Sequence, residues 1–208
     1  MRAETGWSSP APSPADSHLY LITAARPDLG AFLEAAIRGG VDLVQIREKE
    51  LADRELLAVL EEARALTRRL GVALIVNDRP DLAVLCGADF VHVGQEDLPV
   101  EAARRFGVGV GLSTHARREI DAAEADYIAV GPVHATPTKP GRPPVGLELV
   151  RYAAQRARSP WFAIGGIDPS TVADVVAAGA RRIAVVRALG EAPDPEAAAR
   201  ELRAALPD

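Results

Sequence analysis

Residues 42–77 read DLVQIREKELADRELLAVLEEARALTRRLGVALIVN, and this stretch decides the fold. It opens on an apolar run, Asp42–Arg47. It continues through Asp53–Leu70, whose apolar residues recur at helical spacing, and returns after Gly71 to a second apolar run, Ala73–Asn77. Both runs are nearly continuous in Val, Ile and Leu, the pattern of strands covered on two faces. Strand, helix and strand in that order make a parallel crossover unit.

The same rhythm extends in both directions. Further apolar runs lie at Leu19–Ala24, Phe90–Gly94, Val108–Ser113, Tyr127–Val133, Trp161–Ile167 and Arg182–Leu189, which brings the count to eight. Gly39-Gly40, Gly71, Gly87 and Gly179 each stand before the next strand, where a helix end favours glycine. Asp168 reads as the N-cap of a helix over Pro169–Ala178. Eight strands alternating with helices predict an α/β fold closed into a single (β/α)8 TIM barrel. An open doubly wound sheet is the alternative, weakened because no glycine fingerprint follows the first strand. Residues 1–18 hold Ser, Pro and Ala without an apolar h-region. They are expected to form a short disordered tail, not a signal peptide, ahead of one barrel domain over 19–208.

Composition narrows the function. The net charge of -5 argues against a nucleic-acid footprint. No apolar run is long enough to span a membrane. The single cysteine, Cys86, cannot form an internal disulfide, which suits a reducing cytoplasm. Its apolar neighbours Leu82-Ala83-Val84-Leu85 suggest a buried structural thiol in preference to a catalytic one. Small molecules are the expected partners, and a homodimer is left open.

The lysines are more telling. Of 24 basic residues only Lys49 and Lys139 are lysine, and both follow apolar strands. A compact ammonium on a flexible stem is a good point-charge partner for phosphate. In a barrel of this kind the chemistry gathers at the C-terminal ends of the strands. Strand two ends Gln45-Ile46-Arg47-Glu48-Lys49, and alternation puts Gln45, Arg47 and Lys49 on one face. Two cations and an amide in register suit an extended anion. Strand three ends Asn77-Asp78-Arg79, which could equally cap the next helix. Strand four leads to Asp97, so Asp78 and Asp97 lie at adjacent mouths, close enough to share one magnesium ion. His92 is expected to pack within its strand.

Strand five ends Ser113-Thr114-His115. Ser113 can donate to a phosphate oxygen, while His115 is either an acid-base group or the start of a helix. The loop His134–Gly146 carries Thr136, Thr138 and Lys139 and reads as a lid, or else as a rigid proline-rich connection. Gly165-Gly166 would let the backbone approach a ligand. Two phosphate sites are therefore expected, one around Lys49 and Lys139, the other around Gly166 and the end of strand eight.

The segments Val44-Gln45-Ile46-Arg47-Glu48-Lys49, Asn77-Asp78-Arg79, His92-Val93-Gly94-Gln95-Glu96-Asp97-Leu98-Pro99, Gly111-Leu112-Ser113-Thr114-His115, Gly131-Pro132-Val133, Thr136-Pro137-Thr138-Lys139-Pro140 and Ala163-Ile164-Gly165-Gly166-Ile167 together resemble the thiamine-phosphate synthase family, in order and spacing. The resemblance runs from about Leu19 to the end of the chain. It implies a transferase that joins an aminopyrimidine, entering as its hydroxymethyl diphosphate, to a thiazole phosphate, giving thiamine phosphate and diphosphate. It further implies that Gln45, Arg47, Lys49, Asn77, Ser113 and Lys139 hold the pyrimidine diphosphate. Asp78 and Asp97 would bind Mg2+. Thr136, Thr138, Gly166 and the backbone at Val186 and Arg187 would meet the thiazole phosphate. Lys49, Arg47, Ser113 and Lys139 would act in catalysis by stabilising the departing diphosphate. Many members place a small hydroxyl residue where this chain has Arg187. Two rival readings remain: a thiazole tautomerase of the same superfamily, using His115 for proton transfer, and a catalytically silent barrel that binds thiamine phosphates.

Overall fold

The structure is a computed structural model and describes residues 13–136 and 143–207. Chain order is β1 (Leu19–Thr23), α1 (Leu29–Arg38), β2 (Leu43–Ile46), α2 (Asp53–Leu70), β3 (Ala73–Asn77), α3 (Pro80–Cys86), β4 (Phe90–Val93), α4 (Val100–Arg104), β5 (Gly109–Thr114), α5 (Arg117–Asp121), β6 (Tyr127–Val130), α6 (Gly146–Arg156), β7 (Trp161–Ile164), α7 (Val172–Ala177), β8 (Ile183–Val185), α8 (Arg187–Gly190) and α9 (Pro195–Ala204). Each strand pairs in parallel with the next, and β1 pairs with β8, so the sheet closes into an eight-stranded barrel. The predicted TIM barrel is what the chain forms, and the open sheet is excluded.

Alternation along the strands separates two cores. One parity (Leu21, Val44, Ile46, Leu74, Val76, Val91) packs outward against Leu33, Leu60 and Ala63 of the helices. Each such side chain stabilises the fold by about 1.5–3 kcal/mol on burial. The other parity fills the barrel with Tyr20, Ile22, Leu43, Ala73, Ile75, Tyr127, Phe162 and Ala184. Tyr20, Tyr127 and Phe162 meet edge to face, with centroids 5.4–5.9 Å apart. Gly111 on β5 makes room for them, since a Cβ there would stand 2.1 Å from Tyr127 Cζ.

Helix α2 spans the expected Asp53–Leu70 and ends on Gly71 in the left-handed conformation at φ 72°. Several strand boundaries differ from the sequence reading, three of them by more than a residue or two. The apolar runs over 127–133, 161–167 and 182–189 leave the sheet at Val130, Ile164 and Val185, because their last residues turn to build the mouth of the barrel. Asp168 does not cap a helix that begins at once. Its Oδ1 accepts from Ser170 N at 2.8 Å and Ser170 Oγ at 2.6 Å, which holds an extra turn, and α7 starts only at Val172. At the N-terminus, residues 13–18 are ordered. Ser17 is fully buried and donates to Ser13 O, while Asp42 accepts the His18 and Leu19 amides. Residues 1–12 of the expected tail lie outside the described residues. Cys86 is buried with its thiol pKa raised by desolvation, as a structural thiol should be. Among the described residues no helix is long and apolar enough to cross a membrane.

Candidate active site

The strand ends β2, β3 and β4 build the first half of the mouth. Gln45 points into the barrel, 1% exposed, and donates through Nε2 to the Tyr20 hydroxyl. Arg47 continues the strand by donating its N–H to Thr23 O at 2.8 Å and is half-buried. Lys49 reaches across to the next strand, with Nζ 3.2 Å from Asp78 Oδ2. Asn77 also donates to Asp78 Oδ2, at 2.7 Å. Asn77 and Asp78 therefore do not cap the following helix: α3 has Arg79 at its N-cap and no side-chain cap bond.

Asp78 has φ 61°, a left-handed conformation that Asp and Asn tolerate better than other side chains. A non-glycine residue held there is the kind of strain found at working sites. Arg79 fixes the turn from behind, binding Asp53 at 2.6 Å and Asp81 at 2.7 Å. The Asp78 pKa is raised, first by desolvation and then by the neighbouring Asp97 charge, against the opposing pull of Lys49. Asp97 in turn accepts the Gly94 amide at 2.8 Å. Two carboxylates from adjacent strands thus repel each other at one spot.

This arrangement fits magnesium. Two carboxylates, Asp78 and Asp97, are what the protein brings together here. Magnesium is typically held by one or two carboxylates, with phosphate oxygens and water completing its shell. A desolvated carboxylate whose charge is opposed by its neighbour is the donor set such an ion relieves.

The second half of the mouth is a cavity of about 250 Å3 lined by Ser113, His115, Thr136, Gly166, Val186 and Arg187, among others. Residues 137–142 of the expected lid, Thr138 and Lys139 among them, lie outside the described residues. Gly165 and Gly166 take φ 103° and 61°. Both line the cavity, and the space left by their missing side chains is taken by protein: a Cβ on Gly165 would meet Pro132 at 2.5 Å, and one on Gly166 would meet His134 at 2.7 Å. These glycines dock the loop after β6 onto the loop after β7. His115 is fastened by Nδ1 to Gly131 O, and its amide donates to Glu119 Oε2 at 2.7 Å. Arg187 sits on the rim, paired with Glu191 at 2.8 Å.

Ser113 belongs to both halves. It lines the cavity, and its Oγ lies 2.9 Å from His92 Nε2. His92 packs within its strand, as expected, 7% exposed, with Nδ1 3.0 Å from the Tyr127 hydroxyl.

The sequence reading passed over several supporting residues. Glu48 accepts from the amides of Ala25, Lys49 and Glu50 and so pins the loop that carries Lys49. Gln95 donates to Ser113 O at 2.7 Å, tying the Asp97 loop to β5. Tyr20 and Tyr127 were missed too, although a tyrosine in the middle of a buried strand signals a hydroxyl that needs a partner.

The chain is similar to known proteins. Residues 19–189 match the family model described as thiamine monophosphate synthase. The thiamine-phosphate synthase of Arthrobacter sp. (strain FB24) is 52% identical, over 92% of this chain and 94% of its own. A thiamine-phosphate synthase of Thermus thermophilus is 54% identical, over 90% of this chain and 96% of its own. The solved structure of a thiamine phosphate pyrophosphorylase from Pyrococcus furiosus superposes with a TM-score of 0.84 at 32% identity, covering 92% of this chain and 96% of that one.

Proposed function

Since the chain belongs to the thiamine-phosphate synthase family and has that activity, we propose that its two half-sites divide the substrates between them. The aminopyrimidine diphosphate occupies the side of Gln45, Arg47, Lys49, Asn77 and Ser113. The thiazole phosphate occupies the cavity of Thr136, Gly166, Val186 and Arg187. From sequence, Thr138 joins the thiazole phosphate and Lys139 the pyrimidine diphosphate. The observation that carries this reading is the place of Ser113: it lines the thiazole-side cavity and is joined through the core to Gln45 on the pyrimidine side.

The reaction is a substitution at carbon. The thiazole nitrogen gives its lone pair to the pyrimidine methylene carbon, the carbon–oxygen bond breaks, and diphosphate leaves with that electron pair. An electron-rich aminopyrimidine supports positive charge at the methylene, so bond breaking runs ahead of bond making. The protein's task is then to receive negative charge on the leaving group. Lys49 and Arg47 supply positive charge there, and Ser113 supplies a hydrogen bond. Asp78 and Asp97 would hold Mg2+, which, when bound, neutralises diphosphate oxygens. Fixing both substrates in one mouth adds the advantage of orientation. No nucleophilic side chain and no general base are needed for the central step.

The same reading places the enzyme in the cytoplasm, where Cys86 stays a thiol, with phosphorylated small molecules as its partners. The test is product formation from both substrates with and without magnesium. Magnesium-dependent thiamine phosphate supports the proposal. Metal-independent isomerisation of a thiazole carboxylate phosphate would favour the tautomerase, and binding without turnover would favour the silent barrel.

A further inference from the structure

Five polar side chains form one continuous chain through the barrel interior. Gln45 Nε2 donates to the Tyr20 hydroxyl. Tyr20 and Tyr127 hydroxyls lie 3.1 Å apart, Tyr127 OH and His92 Nδ1 3.0 Å, and His92 Nε2 and Ser113 Oγ 2.9 Å. All five residues are buried, and the chain joins β1, β2, β4, β5 and β6. An interior this apolar would be more simply filled with Phe and Leu, so a connected polar chain calls for a function.

Proton accounting gives the chain a direction. Gln45 presents its nitrogen inward, so Tyr20 receives a proton there and gives its own to Tyr127. Tyr127 then donates to His92 Nδ1, the ring carries its proton on Nε2, and Nε2 donates to Ser113 Oγ. Ser113 is left with its own proton to give. In the opposite direction the Ser113 proton would be consumed on His92, and serine could only accept. Phosphate oxygens are themselves acceptors, so that direction would oppose the anion. At the other end, an inward nitrogen leaves the Gln45 carbonyl oxygen as the acceptor offered to a ligand N–H. Desolvation raises the pKa of both phenols, which keeps them neutral donors.

We propose that Tyr20, Tyr127 and His92 are positioning residues: they hold the Ser113 hydroxyl as a hydrogen-bond donor to the departing diphosphate, with the polarity set by Gln45 when it accepts from the amine of the aminopyrimidine. The proposal rests on the substrate-binding reading of Gln45 and Ser113 given above. It adds that recognition of the base and stabilisation of the leaving group are linked through the core.

The experiment is a double-mutant cycle on turnover at saturating substrates and magnesium, with thermal melts to confirm folding. Tyr127→Phe keeps the ring and removes the link. It should lower kcat about tenfold, the worth of one ordinary hydrogen bond, with KM for the thiazole phosphate unchanged. Ser113→Ala should lower kcat at least as much, and the double variant should be no slower than Ser113→Ala alone. A merely structural role would multiply the two losses. Full kcat in Tyr127→Phe, or the same loss from Tyr127→Phe in both backgrounds, would overturn the proposal alone. Undiminished kcat in Ser113→Ala would overturn the underlying reading of Ser113 and the proposal with it. If Tyr127→Phe does not fold, Tyr20→Phe breaks the same chain one link earlier and is judged by the same outcomes.

Discussion

Lys49 Nζ lies 3.2 Å from Asp78 Oδ2, so the exposed ammonium of one strand end neutralises a carboxylate of the next. Asp78 is also crowded by Asp97 and partly desolvated, which raises its pKa despite the lysine. A metal ion on the carboxylate pair would take over the role of Lys49 and release the ammonium to a phosphate.

The first prediction concerns that pair. Asp97→Asn should cut magnesium-dependent turnover about a hundredfold, the scale on which a metal's charge stabilisation acts. It should also abolish any rise in melting temperature on adding magnesium. The pH sign follows from linkage: a carboxyl with a raised folded-state pKa contributes stability below its ordinary value of 3.8 and loses that contribution as pH rises through the raised value. Asp97→Asn removes one cause of the shift. Without metal at neutral pH, the variant should melt no lower than the wild type. Melting curves across pH 4–8, with and without magnesium, check both points. A magnesium-induced stabilisation that survives in Asp97→Asn would count against the assignment.

Glu48 gives a second prediction. Both its carboxylate oxygens are engaged by backbone amides, and its pKa is lowered, chiefly by the Glu50 amide. Glu48→Gln retains one acceptor oxygen and loses the other, which loosens the loop beneath Lys49. KM for the pyrimidine diphosphate should rise severalfold while KM for the thiazole phosphate holds steady. The contribution of Glu48 to stability is present above its ordinary pKa and fades as pH falls through the lowered one. Steady-state kinetics with each substrate varied in turn decide it.

Arg187 and Glu191 give a third. Their ion pair is exposed, so breaking it should leave the melting temperature essentially unchanged. Both residues line the cavity proposed for the thiazole phosphate, however. Glu191→Ala frees a guanidinium and removes a negative charge, which should lower KM for the thiazole phosphate. Arg187→Ala should raise it. Equal KM values in all three proteins would mean that backbone groups alone bind this phosphate, and that Arg187 in place of a small hydroxyl is without consequence.

Lys139 supplies the fourth, argued from sequence. Lys139→Ala should slow turnover more than it weakens thiazole phosphate binding, measured by calorimetry beside kcat. The reverse result would move Lys139 to the other subsite.

Much of the candidate site was legible along the chain. Lys49, Asp78, Asp97 and Ser113 announced themselves because each is polar at the end of an apolar strand, and in a parallel barrel all such ends share one face. Residues whose meaning depends on a partner across the barrel were harder to read. His92 looked like simple packing, and Tyr20 and Tyr127 were passed over. The glycines at 165 and 166 were marked for backbone approach to a ligand; both line the cavity, and the fold adds a reason the sequence did not show, since a side chain on either would strike the loop after β6.

Sequence alone determined the eight strands, the barrel they close into and the polar rim, because hydrophobic period and strand-end chemistry are local properties of the chain. Only the tertiary structure decided that Asp168 holds a turn in place of capping a helix, that Lys49 lies against Asp78, and that hydroxyls 107 residues apart meet inside the barrel. Those outcomes depend on which strand lies beside which and on how far each is offset from its neighbour. Closure of the sheet sets both, and neither is written in any local pattern of residues.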